Sequence, residues 1–372
     1  MSLIEKLSEC TVYESPESAR PRLNARFPGI VQLPSGRLLA MYVLVEKIDE
    51  TIARTHLSYS DDLGATWHDQ GEMYDPRLAG VESEFDECFK PLVLDDGSLL
   101  ALGYRFNRPD LAVPIVNPAT GGFLCGPDVV SRCVDGGRTW SVPVVMDCGV
   151  PETVELAGSA IQTRSGDILA VGGVFKHWDG TNPTGEVGLL VRSRDRGRTW
   201  SNSVYYRDDR DRTAPYEARI CEMPDGRLVA IVWAFSHREN KNYPNRYVVS
   251  HDGGRSFSAP ADTGHLGQAV GVMSLCDNLL LSIHCHRADA RNGLFVRVVD
   301  FTGDRWNVLD EKLIWEPAAG QSNTGGLAYQ VGALQFGQAE TRRLNNGDVL
   351  AYFWGKENGL AKIKAQRLRI HT

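Results

Sequence analysis

No apolar stretch in these 372 residues approaches the roughly 18 to 20 needed to cross a bilayer. The longest runs, such as 228–235, are strand-sized, so no membrane association is expected. Basic charge is also scarce. Forty Lys and Arg against 47 Asp and Glu give a formal net charge of −7, the wrong sign for a phosphate-reading surface, and no nucleic-acid partner is expected. A local cluster of arginines could still hold a small anion whatever the total charge. The opening residues, MSLIEKLSECTVYES, put glutamates where an export signal would have its apolar core, which points to a cytoplasmic protein. The eight cysteines (10, 88, 125, 133, 148, 221, 276, 285) form no Cys-x-x-Cys pair and no metal-ligand spacing. Reduced, mostly buried thiols are therefore expected, with no metal. No glycine-rich phosphate loop in a useful context implies an organic cofactor. No Ser/Gly-rich or charge-rich linker interrupts the chain, which favours a single domain over residues 1–372.

What the chain does have is glycine, proline and repetition. Four segments share the template Ser-x-Asp-x-Gly-x-Thr-Trp: SDDLGATW (60–67), CVDGGRTW (133–140), SRDRGRTW (193–200) and SHDGGRSF (250–257). A degenerate fifth, DFTGDRW, spans 300–306. Between them runs a second pattern of apolar strand, tight turn and apolar strand. It reads IVQLPSGRLLAMY around Gly36, LVLDDGSLLALGY around Gly97, AIQTRSGDILAVGG around Gly166, RICEMPDGRLVAIVW around Gly226 and TRRLNNGDVLAYFW around Gly347. A sixth copy, VMSLCDNLLLSI, has Asp277 and Asn278 at the turn. Each unit reads as four antiparallel strands with both faces apolar. Radial stacking buries such faces while leaving only short edges. The expected fold is all-β, a six-bladed β-propeller of four-stranded blades with the first strand of each nearest the axis. In the Asp-containing turns Gly permits a positive φ, the Asp and Thr side chains satisfy turn amides and the Trp wedges between strands, so Asp62, Asp135, Asp195 and Asp252 are assigned to structure.

With its Asp-box turns and six hairpins, the chain resembles the sialidase (neuraminidase) family over essentially its full length. The resemblance implies a pocket over the propeller axis, arginines that hold a sugar carboxylate, an Asp acid/base, and a Tyr nucleophile assisted by a Glu. Asn24-Ala25-Arg26-Phe27-Pro28 is similar to the family's first arginine motif, making Arg26 the first carboxylate-binding candidate; a guanidinium fork meets a carboxylate bidentately. Tyr216-Glu217 leads into the fourth hairpin as the family's Asn-Glu does, which casts Glu217 as the carboxylate beside the reacting centre. RNGLFVRVVD makes Arg291 a further arginine candidate, with Arg287 and Arg297 as competitors. The loop EKIDE places Asp49 at the acid/base position, flanked by Glu46 and Glu50.

The chain also departs from the family pattern. Trp233 stands where the second arginine is expected, and only Arg238 could reach in from the next loop. Register with Gly347 gives Gln338 where the nucleophilic Tyr should open the last hairpin; Tyr329, in GLAYQVG, is the alternative. Glu87 sits at the same offset from its turn as Arg26, Glu155 opens the third unit, and Glu340 lies in the sixth. These carboxylates could supply an acid and base pair for an inverting glycosidase, or pair with Arg219, Lys90 or Arg342 as structure. His177, His237, His284 and His286 fall near one face, and the last two share a side of one strand. The implied partner is a small, acidic carbohydrate, hydrolysed by a sialidase-like exo-glycosidase. The alternatives are a uronate-saccharide lyase or hydrolase, and a carbohydrate-binding propeller without turnover.

Overall fold

A computed structural model describes residues 2–47, 51–287, 291–318 and 334–372. Its strands form six antiparallel sheets set around one axis. The first blade comprises Asn24–Gln32, Leu38–Val45, Arg54–Ser60 and His68–Glu72, and the second Glu84–Val93, Leu99–Arg108, Asp128–Cys133 and Val144–Met146. The third has Ile161–Gln162, Ile168–Gly173, Gly188–Ser193 and Ser201–Tyr206. The fourth has Ala214–Glu222, Leu228–Ser236, Arg246–Ser250 and Ala261–Asp262, with Lys241–Asn242 added against its second strand. The fifth has Val270–Cys276, Leu279–His286, Gly293–Asp300 and Asn307–Trp315.

The sixth blade differs from the expected unit. Phe336–Arg343, Val349–Glu357 and Leu360–Ile370 supply three strands, and the N-terminal Ile4–Tyr13 supplies the outer one, paired from Ile4↔Ile370 to Tyr13↔Ile363. No Asp-containing turn is needed there, because the fourth strand comes from the other end of the chain. This ties the last blade to the first.

The reason for stacking is visible in burial. Every residue of Leu38–Val45 and of Leu228–Ser236 is buried, because sheets press on both faces of these strands. Among the described residues six apolar clusters fill the six gaps between neighbouring blades. Val31 and Met41 of the first blade meet Phe89 and Leu99 of the second, and Ile283 and Val296 of the fifth meet Phe336 and Phe353 of the sixth. Each such side chain contributes about 1.5–3 kcal/mol on burial. The first strands of blades one and two, four and five, five and six, and six and one touch, so they line the axis.

The hairpin turns fall at the expected glycines. Gly36, Gly97, Gly166, Gly226 and Gly347 all have φ between 81° and 92°, and in the fifth blade Asp277 takes φ 41°. The Asp-containing turns join third to fourth strands, away from the axis. In the third blade Asp195 Oδ1 accepts the amides of Arg198 (3.0 Å) and Thr199 (2.9 Å), while its Oδ2 accepts the Thr199 hydroxyl (2.6 Å). Ser193 Oγ meanwhile accepts the Gly197 amide at 2.7 Å. The turns around Asp62 and Asp252 repeat this set, and at Asp135 the Cys133 thiol replaces the serine hydroxyl. These hydrogen bonds hold Asp62 down at about pKa 2. All four carboxylates are consumed by their own turns.

No helix among the described residues is long and apolar enough to cross a membrane. All eight cysteines are unpaired, and Cys125 is exposed.

Candidate functional site at the hub

A regular strand sends consecutive side chains to opposite faces. The first strands of blades one, four and six break that rule at one equivalent place. Their register slips between Arg26 and Gly29, between Tyr216 and Arg219, and between Gly337 and Glu340. The residue inside each bulge is left-handed: Phe27 (φ 58°), Glu217 (φ 50°) and Gln338 (φ 40°), each nine residues ahead of its turn glycine. Ala269, at the entrance to the fifth blade's first strand, has φ 69°. Such a conformation in a non-glycine residue costs about 1–3 kcal/mol, and the surrounding ring must over-determine it. Its effect is to bring both Arg26 and Phe27, and both Tyr216 and Glu217, to the wall of one cavity.

That cavity encloses about 900 Å³, counting solvent at its mouth. Its polar residues are Arg26, Glu155, Glu217, Gln268, Arg287 and Gln338. Glu217 Oε1 accepts from Gln338 Nε2 at 3.0 Å. The amide of Gln338 is oriented from behind by Lys90, whose Nζ donates to Gln338 Oε1 (3.0 Å), Phe27 O (2.5 Å) and Pro28 O (2.9 Å). Burial pushes the Lys90 amine below its usual range. Glu217 Oε2 lies 3.7 Å from Arg219 Nη2 and has no hydrogen-bond partner among the described residues. Arg219 turns its Nε to Glu340 at 3.3 Å, and Glu340 is closed off by Ser159 Oγ (3.0 Å) and the Tyr352 hydroxyl (2.9 Å). Glu340 therefore anchors Arg219 behind the cavity.

Glu155 arrives differently. Two tight backbone turns, Leu156 N to Val154 O and Ala157 N to Glu155 O (each 2.8 Å), interrupt the third blade's innermost segment. Glu155 Oε2 accepts the Glu217 amide at 3.0 Å. Burial, and then the negative charge of Glu217, push the Glu155 carboxyl well above the ordinary range. Two carboxyl groups in unlike surroundings therefore share the site, the environmental asymmetry that acid/base chemistry uses.

Two guanidiniums face this pair. Arg26 is buried, with its guanidinium 4.5 Å above the Trp354 ring. Arg287 donates to Phe336 O and stacks 5.3 Å from the Phe336 ring, and its Nε has no hydrogen-bond partner among the described residues. Gly337 makes room for it: a Cβ there would lie 2.2 Å from Arg287 Nη2.

Of the residues singled out from sequence, Arg26, Glu217 and Gln338 are brought together in the cavity. Arg291 is not. Its side chain is 61% exposed, ion-paired with Glu311 at 2.5 Å and stacked 4.7 Å from Phe295. The reason is geometric: Arg291 precedes the fifth blade's third strand, one position further from the axis than the second, which Arg287 directly follows. Arg238 is also exposed on its loop and outside the cavity lining. Glu87 is tied to Arg105 (2.5 Å) and to the Tyr74 hydroxyl, and faces a smaller cavity between blades one and two. Asp49 and Tyr329 lie outside the described residues.

The histidines do not converge. His284 is fully buried between Asn245 (2.9 Å) and Ser282 (3.0 Å), and His177 bonds the Cys125 sulfur at 3.1 Å. His237 takes the Tyr216 hydroxyl at 2.7 Å; burial, and then Lys176, lower it to about 4. Sequence reasoning missed the aromatic wall formed by Phe106, Phe123 and Phe175, whose contributing segments follow the second strands of blades two and three. The available signal was an aromatic in or just after the second strands of blades two, three and four, namely Phe106, Phe175 and Trp233. Among the described residues no group of three His, Cys, Asp or Glu side chains is placed to hold a metal.

The geometry defines a six-bladed propeller with a charged, aromatic-walled cavity at its hub. No protein-family model and no curated protein matches the sequence. Among solved structures the chain is similar to a Dyadobacter fermentans protein of unknown function, at 20% identity over 99% of each chain with a TM-score of 0.74. It is similar to the NanB sialidase of Streptococcus pneumoniae at 13% identity, over 97% of this chain and 70% of that one, with a TM-score of 0.64. An α-L-arabinanase of Penicillium chrysogenum, complexed with arabinobiose, aligns at 14% identity over 97% and 98% of the two chains, with a TM-score of 0.61. At these identities the likeness carries the fold.

Proposed function

We propose that this protein is a glycosidase of the propeller type that hydrolyses a glycoside of a carboxylate-bearing sugar in its hub cavity. The observation that carries the reading is the contact of buried Glu155 with Glu217, in one cavity with Arg26 and Arg287. Two guanidiniums in the lining, beside a Glu155 whose burial favours its neutral form, suit an anionic substrate in a chain that is acidic overall. The fold relatives lend support: one is a sialidase and another an arabinanase with a disaccharide bound.

In this reading Arg26 and Arg287 hold the sugar carboxylate and fix the ring. Glu155 gives its proton to the leaving oxygen. Glu217, held by Gln338 and Arg219, takes a proton from the attacking water as the new carbon–oxygen bond forms and the glycosidic bond breaks. Direct attack by water is favoured because, among the described residues, the side chain hydrogen-bonded to the Glu217 carboxyl is the Gln338 amide and not a phenol. Asp49 as acid and Tyr329 as nucleophile, both implied by the sialidase resemblance, form the competing assignment.

The test is release of 4-methylumbelliferone from its sialic acid conjugate between about pH 4 and 8, followed by variants. Glu217→Gln and Glu155→Gln are each expected to lower kcat/KM at least about 100-fold. Glu155→Gln should also abolish the fall in rate at high pH. If Asp49→Asn and Tyr329→Phe produce the loss and Glu155→Gln does not, the competing assignment holds. No turnover of any acidic glycoside by the folded protein would sink the reading. The second reading, elimination from a uronate, has one observation in its favour, the neutral Tyr216–His237 pair at the cavity edge. Appearance of a conjugated alkene in the ultraviolet would identify it.

A further inference from the structure

We infer that the aglycone this cavity accepts is a flat apolar group of aryl size, carried on the side of the glycosidic bond opposite the carboxylate. The inference deepens the function proposed above and rests on Glu155 being the proton donor.

Ten of the sixteen lining residues are apolar or aromatic, and seven of them come from one arc of the ring. Arg26, Gln268, Arg287 and Gln338 belong to blades one, five and six or their approaches. The apolar arc is made by the second strands of blades two to four and the segments after them, with Phe106, Phe123, Phe175 and Trp233 among its rings, and Glu155 and Glu217 adjoin it. That wall is held together by its own contacts. Phe123 and Phe175 stack at 4.1 Å with planes 24° apart, and Phe106 lies 5.6 Å from Phe175. The segment carrying Phe123 is fastened to the third blade by Phe123 N to Lys176 O at 2.8 Å and by a bridge to His177. Two polar tips near the wall are already engaged, Trp233 Nε1 with Asn242 (2.7 Å) and the Tyr216 hydroxyl with His237 (2.7 Å).

A sugar hydroxyl pressed on these rings would lose water and find no partner, whereas a flat hydrocarbon surface would gain on both counts. Direction follows from Glu155. A proton donor must touch the leaving oxygen, so the leaving group lies on its side of the bond. Glu155 and Phe175 sit on paired segments, with Glu155 N donating to Gly173 O (2.8 Å) and Phe175 N to Thr153 O (3.0 Å). The aglycone is thereby delivered to the Phe175 wall. Room continues beyond it: a second cavity of about 400 Å³ shares Phe27, Tyr104, Phe106 and Ile115 with the first and adds Val43 and Val45.

Leaving-group reactivity would confuse a rate comparison, so the test is binding of uncleaved analogues. The S-phenyl and S-methyl thioglycosides of sialic acid are titrated calorimetrically into the full chain. The phenyl compound is expected to bind at least about tenfold more tightly. Phe123→Ala and Phe175→Ala should abolish that advantage and leave S-methyl binding within about twofold; Phe123→Leu, which keeps the packing, guards against loss of fold. Equal affinity of the two compounds, or equal loss of both in the variants, overturns the inference while leaving the glycosidase reading intact. If neither thioglycoside binds, the reading and the inference fall together. If both bind as expected but no glycoside is turned over, the aryl seat stands and the hydrolytic reading fails.

Discussion

Buried carboxyls without a cationic partner set the chemistry at the smallest scale. Asp128 is fully enclosed where blades two and three meet; its Oδ2 accepts the Val154 amide (3.1 Å), and the Cys148 thiol donates to the carboxyl. Burial raises it from 3.8 to about 8. A carboxyl whose folded pKa exceeds its unfolded value stabilises the fold fully below the unfolded pKa and loses that contribution as pH climbs through the folded one. Stability should therefore decline between about pH 4 and 8 with a slope of up to about 1.4 kcal/mol per unit from this residue. Asp128→Asn keeps the shape and removes the titration. Its melting temperature relative to wild type is expected to rise steadily from pH 5 to pH 8. A difference independent of pH would mean that Asp128 is ionised in the folded protein. Glu155 obeys the same sign, which is why rate and stability should both fall toward alkaline pH.

At the scale of elements, the bulged first strand is the device that builds the site. One extra residue per strand converts an alternating pattern into two adjacent inward side chains, and three blades repeat it at one distance from their turns. Gly337 shows how closely the bulges are fitted. A methyl group there must displace the Arg287 guanidinium, the mobile end of a long side chain, whereas a Cβ at Gly158 would meet the Ala218 backbone carbonyl at 2.5 Å. Gly337→Ala is accordingly expected to leave the melting temperature within a few degrees and to weaken binding of the acidic thioglycosides about tenfold. Isothermal titration checks it, and unchanged affinity would remove Arg287 from the anion site. Part of this element was legible beforehand: counting back from the turn glycines places Glu217 and Gln338 in one register. Arg291, chosen from the likeness of its segment to the sialidase pattern, lies outside the cavity lining, because likeness along the chain does not say how far a residue lies from the axis.

For the whole molecule the decisive feature is closure. The outer strand of the last blade is the first strand of the chain, and Ile4 and Val12 are buried in the clusters that flank the sixth blade. Without it, Leu360–Ile370 becomes an open edge with unpaired backbone groups. Removal of residues 1–13 is expected to lower the melting temperature by more than about 10 °C, or to yield aggregates on size exclusion. A synthetic peptide of residues 1–14 should restore the melt. A truncated chain that melts as the intact one does would show that the ring closes by blade packing alone.

The sequence by itself determined the number of blades, their turns and the structural use of four aspartates, because glycine turns, apolar alternation and self-hydrogen-bonding loops are local physics repeated along the chain. It also put Glu217 and Gln338 in matching positions ahead of their turn glycines, with Arg26 one residue earlier in the first blade. Only the tertiary structure decided that Arg287 and not Arg291 lines the hub cavity, that Glu155 is buried against Glu217, that Lys90 holds the Gln338 amide, and that an aromatic wall lines the same cavity. Each of these depends on distances between segments far apart in the chain, and burial and electrostatic coupling are properties of that three-dimensional neighbourhood.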